Sequence, residues 1–269
     1  MNILLNYEHA VRLGMFLSLF IILAGIEFLF PLAERKCGRL SQWSVNLSLA
    51  FLAGLFLNIL VPLLAVGVAL SAAEHSIGLF NIIDIPYAAA VVFALLMLDL
   101  LIYGQHVLMH KIPLLWSVHR MHHTEIGLDV SSAVRFHPIE IIISMLIKML
   151  FVVIFGIPAG AVIIFEVLLN ALALFNHSNL KLPKAVDKHL RKFIVTPEVH
   201  WIHHSDIAQE TNSNYGFNLI LWDKLFSTYR DKPAVDYPLM RQGLSEFGVE
   251  KPLSLYQLLM LPFQGNKNV

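Results

Sequence analysis

The sequence predicts an all-α integral membrane protein: a bundle of about four to five membrane helices with a cytoplasmic, histidine-rich helical lobe. Three observations carry this reading. The chain is 57 % hydrophobic and only 14 % charged, whereas soluble domains carry about a quarter charged residues. Its apolar residues fall in unbroken runs of the roughly 20 residues that span a bilayer, not in the alternation of half-buried strands. Its histidines are bunched: 11 of 13 lie within residues 106–137 and 177–204, where even scatter would leave about three.

The elements follow in chain order. Residues 1–12 read as a short amphipathic lead. Residues 13–32 are apolar except Ser18 and Glu27, long enough to span and without a convincing cleavage site, so they read as a retained helix rather than a signal peptide. Arg35, Lys36 and Arg39 follow. A second run, about 45–72, either spans with tilt or breaks at Pro62. A third, 86–105, leads directly into His106. Runs 139–157 and 159–176 meet at Gly156-Ile157-Pro158-Ala159-Gly160, a turn by composition, and predict a helical hairpin. Lys148 interrupts its first arm, so that arm either turns Lys148 into the bundle or does not fully cross. The organisation is therefore 1–105 membrane helices, 106–138 a first histidine-rich segment, 139–176 the hairpin, and 177–269 a polar lobe.

Charge gives the orientation. Of 19 Lys and Arg, 17 lie in residues 33–43, 106–138 and 177–269. Five crossings with an external N-terminus put all three segments on the cytoplasmic side, as the positive-inside rule requires. This predicts a multi-pass protein of the bacterial inner membrane or the endoplasmic reticulum. Zero net charge gives no basis for nucleic-acid binding. The single cysteine, Cys37, can form no internal disulfide.

The histidine spacing carries chemistry. His106 and His110 are i and i+4. His119, His122 and His123 repeat as H-x-x-H-H, and His200, His203 and His204 repeat it again. On a helix, i, i+3 and i+4 share a face, so each trio is expected to aim at one point. Imidazole is the commonest metal ligand, and eight imidazoles exceed one tetrahedral zinc, so the spacing points to two metal ions. His9 and His75 lie outside the clusters, and His189 sits in a basic, surface-like run.

Around these residues the chain resembles the membrane-bound fatty acid hydroxylase/sterol desaturase superfamily. The match runs from His106-x-x-x-His110 and His119-x-x-His122-His123 through Arg135-Phe136-His137-Pro138-Ile139-Glu140 and Asn176-His177-Ser178-Asn179. It continues through Thr196-Pro197-x-x-His200-x-x-His203-His204 to Asn214-Tyr215-Gly216 and Trp222-Asp223-Lys224-Leu225-Phe226. It covers roughly residues 90–230, one catalytic domain. The three-residue gap in the first box resembles the sterol desaturase branch. Where the family usually has glycine after the phenylalanine, this chain has Ser227. The resemblance implies a di-iron centre, O₂ as co-substrate, a lipid substrate and electrons supplied from outside. It also brings in His177 as a ligand. His137 is a candidate ligand whose alternative is to pair with Glu140 or order its loop.

Three acidic residues are candidates to support the site. Asp99, Tyr103, His106 and His110 form one helical stripe, and metal-bound histidines usually donate their second N–H to a carboxylate or carbonyl. Asp99 is thus expected to reach His106 through Tyr103 or a water. Glu166 precedes His177 on a similar stripe, too distant for direct contact within its helix. Asp223 is expected to brace the third box with Trp222.

Unactivated C–H bonds offer no acid–base handle, so their oxidation is metal–oxygen chemistry. The function expected is hydroxylation or desaturation of a sterol, fatty acyl or related alkyl lipid. The chain carries no His-Pro-Gly-Gly haem motif and no dinucleotide fingerprint, so the electron donor is expected to be a separate ferredoxin, cytochrome b5 or reductase. Two alternatives stand beside this: a zinc-dependent membrane hydrolase, whose sites are usually carboxylate-containing, and a metal-handling protein or transporter, whose ligands belong near the bilayer midplane.

Overall fold

The computed structural model describes residues 7–61, 63–247 and 252–264. Among these the regular structure is helical, with three isolated β-bridges and no strand. Five stretches are long and apolar enough to cross a membrane. Helix α1 is Glu8–Leu29 and α2 is Arg39–Leu60. The second apolar run does not continue straight: α2 stops at Leu60 and α3, Ala65–Glu74, restarts after a break. Residue 62, where the break was expected, lies outside the described residues. A short α4, Leu79–Ile82, precedes α5, Tyr87–Lys111. Then come α6, Pro113–His123, the hairpin helices α7, Pro138–Phe155, and α8, Ala159–His177. Of the lead expected over 1–12, residues 1–6 lie outside the described residues and α1 begins at Glu8.

The bundle core is made of small and branched residues. Ala65, Ala69, Ala94 and Ala161 are buried with Leu98, Val152 and Val162. Small side chains let helix backbones approach closely, which drives helix packing where lipid offers no hydrophobic gain. The hairpin turn forms where the composition put it. Gly156 caps α7 in the left-handed conformation, φ 63°, and an added Cβ would lie 2.8 Å from Asn81 Nδ2. Lys148 faces inward and pairs with Glu166, which also meets Arg12 at 2.5 Å. Three charges inside the bundle thus tie α1, α7 and α8.

One end of the bundle gathers the polar segments. Glu27 accepts hydrogen bonds from the N–H groups of Val130 (3.0 Å) and Asn179 (3.1 Å). Arg35 pairs with Asp129 at 2.7 Å, and Lys36 Nζ donates to the Met240 carbonyl. The 33–43 loop, both histidine segments and the region around 240 therefore share one end. Here lie α9, Lys184–Leu190; α10, Pro197–His203; α11, Ala208–Thr211; α12, Leu221–Leu225; and α13, Leu255–Met260.

Candidate metal centre

Four helices end at one place. His106 and His110 close α5, His119, His122 and His123 close α6, His177 closes α8, and His200 and His203 close α10 with His204 just beyond. A helix C-terminus carries partial negative charge and favours a cation. Proline starts two of these helices, at Pro113 and Pro197, where its missing N–H costs nothing.

The imidazoles sort into two groups. One contains His106, His110, His119, His123 and His203; the other contains His122, His177, His200 and His204. Within each group the potential ligand atoms lie within 4.8 Å of one another. The expectation that each H-x-x-H-H trio converges on a single point is corrected. At 100° per residue, i+4 lies 40° from i, while i+3 lies 60° away on the other side. So His119 and His123 join one group and His122 the other. The third box reverses the split: His200 and His204 stay together, and His203 crosses over.

The ring hydrogen bonds fix which nitrogen is free. His106 Nδ1 faces the Tyr215 carbonyl at 2.6 Å, His203 Nδ1 the Ser213 carbonyl at 2.7 Å, and His177 Nδ1 the Ala173 carbonyl at 2.8 Å. His122 Nδ1 faces the Arg135 carbonyl at 3.2 Å, and His119 Nδ1 faces Glu140 Oε1 at 2.7 Å. Each acceptor requires an Nδ1–H, which leaves Nε2 as a bare lone pair. Those lone pairs then face each other: His106 and His119 Nε2 at 3.2 Å, His106 and His203 at 3.1 Å, His122 and His177 at 3.0 Å. Two acceptors at hydrogen-bond distance with no proton between them repel, and a cation between them removes the repulsion. Burial keeps the rings neutral: it lowers His122, His123, His200 and His204 well below the usual imidazole value, and His203 to about 3, with neighbouring imidazoles adding to the effect. The donor set therefore fits two metal ions held by imidazole alone.

The candidate supporting residues take different places. His137 is in neither group. Its Nδ1 accepts from the Ile139 N–H at the start of α7, and its Nε2 faces the Leu259 carbonyl, both at 3.2 Å. It caps a helix and ties down the C-terminal segment. Asp99 does not face His106: its Oδ2 accepts from Trp222 Nε1 at 2.8 Å and from the Leu219 N–H at 3.3 Å. Of the two intermediates expected, Tyr103 or a water, the Tyr103 hydroxyl is hydrogen-bonded to Thr228 instead. Glu166 pairs with Lys148 and Arg12, away from the rings.

Asp223 stands closest to the site among the three. Its two oxygens accept from the N–H groups of Tyr215 and Gly216, each at 2.8 Å, and so hold the loop whose Tyr215 carbonyl receives His106. A Cβ on Gly216 would lie 2.7 Å from Asp223 Oδ2, so this grip requires glycine. Sequence reasoning gave Glu140 only to His137. The signal for its pairing with His119 was a carboxylate in the first turn of a helix that must pack against the second box.

Beside the first group lies a cavity of about 330 Å³. His106, His119 and Glu140 line it, together with apolar residues that include Ala53, Gly54 and Leu169.

An all-helical bundle with five membrane-length apolar helices carries two all-histidine clusters, at converging helix ends, that could hold metal ions. The fatty acid hydroxylase family profile matches residues 91–228, half of the chain, and the chain belongs to that family. It is 30 % identical to an ornithine lipid hydroxylase, OlsE, of Rhizobium tropici over 148 residues, 55 % of this chain and 44 % of that protein. It is 25 % identical to alkylglycerol monooxygenases of Caenorhabditis elegans, over 60 % of this chain and 31 % of that protein, and of Danio rerio, over 73 % and 41 %. The matches span less than half the length of these relatives. No solved structure matches the chain.

Proposed function

We propose that the protein is a membrane-bound, O₂-dependent lipid oxidase that uses two iron ions. The observation that carries this reading is the pair of all-histidine clusters beside an apolar cavity. His106, His110, His119, His123 and His203 would hold one ion, and His122, His177, His200 and His204 the other. Five donors in one group exceed what a tetrahedral zinc accepts, and neither group contains a carboxylate, which disfavours the hydrolase reading. Imidazole donors suit iron.

The bound metal pair would supply the oxidising power that an unactivated C–H bond requires. The protein's own part is to orient and exclude. Carbonyls of Tyr215, Ser213, Ala173 and Arg135 and the Glu140 carboxylate fix five ring orientations, as outer-sphere acceptors do at metal sites. The cavity wall at Ala53, Gly54 and Leu169 seats an alkyl chain and keeps water away. Oxygen insertion balances as R–H plus O₂, two electrons and two protons, giving R–OH and water. The two electrons come from a separate ferredoxin, cytochrome b5 or reductase. Names of the relatives, a hydroxylase and monooxygenases, favour insertion of oxygen over desaturation. The narrow gap in the first box is what supports a place nearer the sterol branch. The histidine end faces the cytoplasm, where the basic residues concentrate.

Comparing lipid extracts of cells with and without the gene tests the reading. Lipids that gain one oxygen, only when O₂ is present, are expected. A difference that persists without O₂ overturns it.

A further inference from the structure

The mechanism uses one cavity, and the structure holds a second, larger one. An open groove of about 830 Å³ runs between α5 and α7 on the outside of the bundle. Leu101, Gly104, Leu108, Phe151, Phe155 and Phe226 are among the residues that form it. Its α5 wall follows i, i+3 and i+4 steps from Met97 to Lys111, about 21 Å along a helix at 1.5 Å per residue. The inner cavity is lined by the adjoining stripe of the same helix, Ile102, His106 and Met109. Gln105 sits at the border and lines both spaces.

We propose that this groove is the lateral entrance for the lipid substrate. The chain enters from the bilayer between α5 and α7 and passes Gln105 into the cavity beside His106 and His119. Lys111, at the polar end of the groove, receives an anionic headgroup. The proposal rests on the reading of the substrate as a lipid.

Four features carry it. The groove is apolar along its length and faces where lipid would be; Leu108 and Phe226 stay half exposed. One residue, Gln105, lines both the groove and the cavity beside the proposed metal site, so a single side chain separates the two spaces. The only cationic side chain among its lining residues, Lys111, stands next to His110 at the end of α5, the level at which lysine meets lipid headgroups. Finally, the buried amide oxygen of Gln105 has no hydrogen-bond partner, so turning the side chain breaks no hydrogen bond at that atom. Phe226 borders the middle of the groove, stacked on Tyr103 at 5.5 Å between ring centroids, and so joins the groove to the lobe that carries the third box. Lys111 lies six residues beyond Gln105, about 9 Å along the helix. A lipid anchored there presents carbons near its headgroup, rather than its far end, to the passage.

Two glycines make the route testable, because a Cβ at Gly104 or at Gly54 meets nothing within 4 Å. Gly104 lines the groove and Gly54 the inner cavity, so a side chain can start at either position without its first carbon striking a packed atom. The full-length, iron-loaded protein is reconstituted in vesicles containing phosphatidylglycerol with a photoactivatable diazirine in its acyl chain. Adducts are mapped by mass spectrometry and iron per chain is measured alongside. Wild type is expected to carry adducts in the groove (Leu101, Leu108) and in the cavity (Ala53, Leu169). Gly104→Trp is expected to cut cavity adducts at least tenfold with iron retained. Gly54→Phe is expected to lose cavity adducts and keep those in the groove. Lys111→Glu is expected to reduce labelling by the phosphatidylglycerol probe several-fold more than labelling by its phosphatidylcholine counterpart. Cavity adducts that survive Gly104→Trp, or no groove adducts in wild type, overturn the entrance; equal loss for both probes overturns the headgroup contact. Because labelling needs no turnover, a normal adduct pattern in vesicles beside cell lipids that gain no oxygen from the gene condemns the oxidase reading and leaves the entrance standing.

Discussion

His119 Nδ1 stands 2.7 Å from Glu140 Oε1. The partners come from different helices: His119 is in the second box on α6, and Glu140 is in the first turn of α7. This pair orients one of five rings whose free nitrogens meet at the first cluster. Removing such an outer-sphere partner typically costs 10–100-fold in metal affinity. Glu140→Ala is therefore expected to weaken one metal ion by about that factor and leave the His122 cluster loaded, while Glu140→Gln, which keeps an acceptor, loses less. Competitive chelator titration of the purified variants reads both ions. Equal affinities in wild type and Glu140→Ala would remove the carboxylate from the site.

The contrast between Asp223 and Asp99 gives a second expectation. Asp223 holds the loop that positions His106, whereas Asp99 anchors Trp222 and Leu219. Asp223→Asn replaces an oxygen that accepts from a backbone N–H with an amide donor. It is expected to reduce metal affinity by about 10–100-fold, and Asp99→Asn by less. The same chelator titration ranks them; the reverse order would show that the lobe's anchoring, not the loop, controls His106.

Ser227 has φ 59°, in the left-handed region where a side chain costs roughly 1–2 kcal/mol. This is the position where the family usually carries glycine. Ser227→Gly is expected to stabilise the fold by about 1 kcal/mol, and Ser227→Val to destabilise it. Thermal unfolding in detergent checks the direction; a lower midpoint for Ser227→Gly would mean that the serine contributes more than its strain.

The shared end of the bundle predicts membrane sidedness. In a Cys37→Ser background, single cysteines at Ser41, at Lys111 and at Asn268, which lies outside the described residues, are expected to react with an impermeant thiol reagent only from the cytoplasmic side. Labelling of any one from the opposite side breaks the five-crossing topology.

The helices and the histidine clustering were legible in the sequence because both are local. Bilayer-length apolar runs and i, i+4 spacing need no knowledge of the partner elements. Pairing across the fold was not legible. Whether His122 joins His119 or His177 depends on how two helices are phased about a common axis. His137 shares the box chemistry, yet it is spent on capping α7, because its backbone position puts Nδ1 on the Ile139 N–H. Asp99 lies on the stripe of His106, but Trp222 reaches it first from a segment 123 residues away. The carbonyls of Tyr215 and Ser213, which orient His106 and His203, leave no trace in side-chain identity. Only the bracing motif Asn214-Tyr215-Gly216 marks their loop.

The two histidine clusters are each proposed to hold one iron ion. Metal analysis of protein purified anaerobically without chelators tests it most directly, on wild type beside His203→Ala and His200→Ala, which alter the first and second cluster respectively. Two iron ions per chain are expected in wild type and about one in each variant, with loss from a different cluster in each. A single metal ion per wild-type chain, or full loading of both variants, would contradict it.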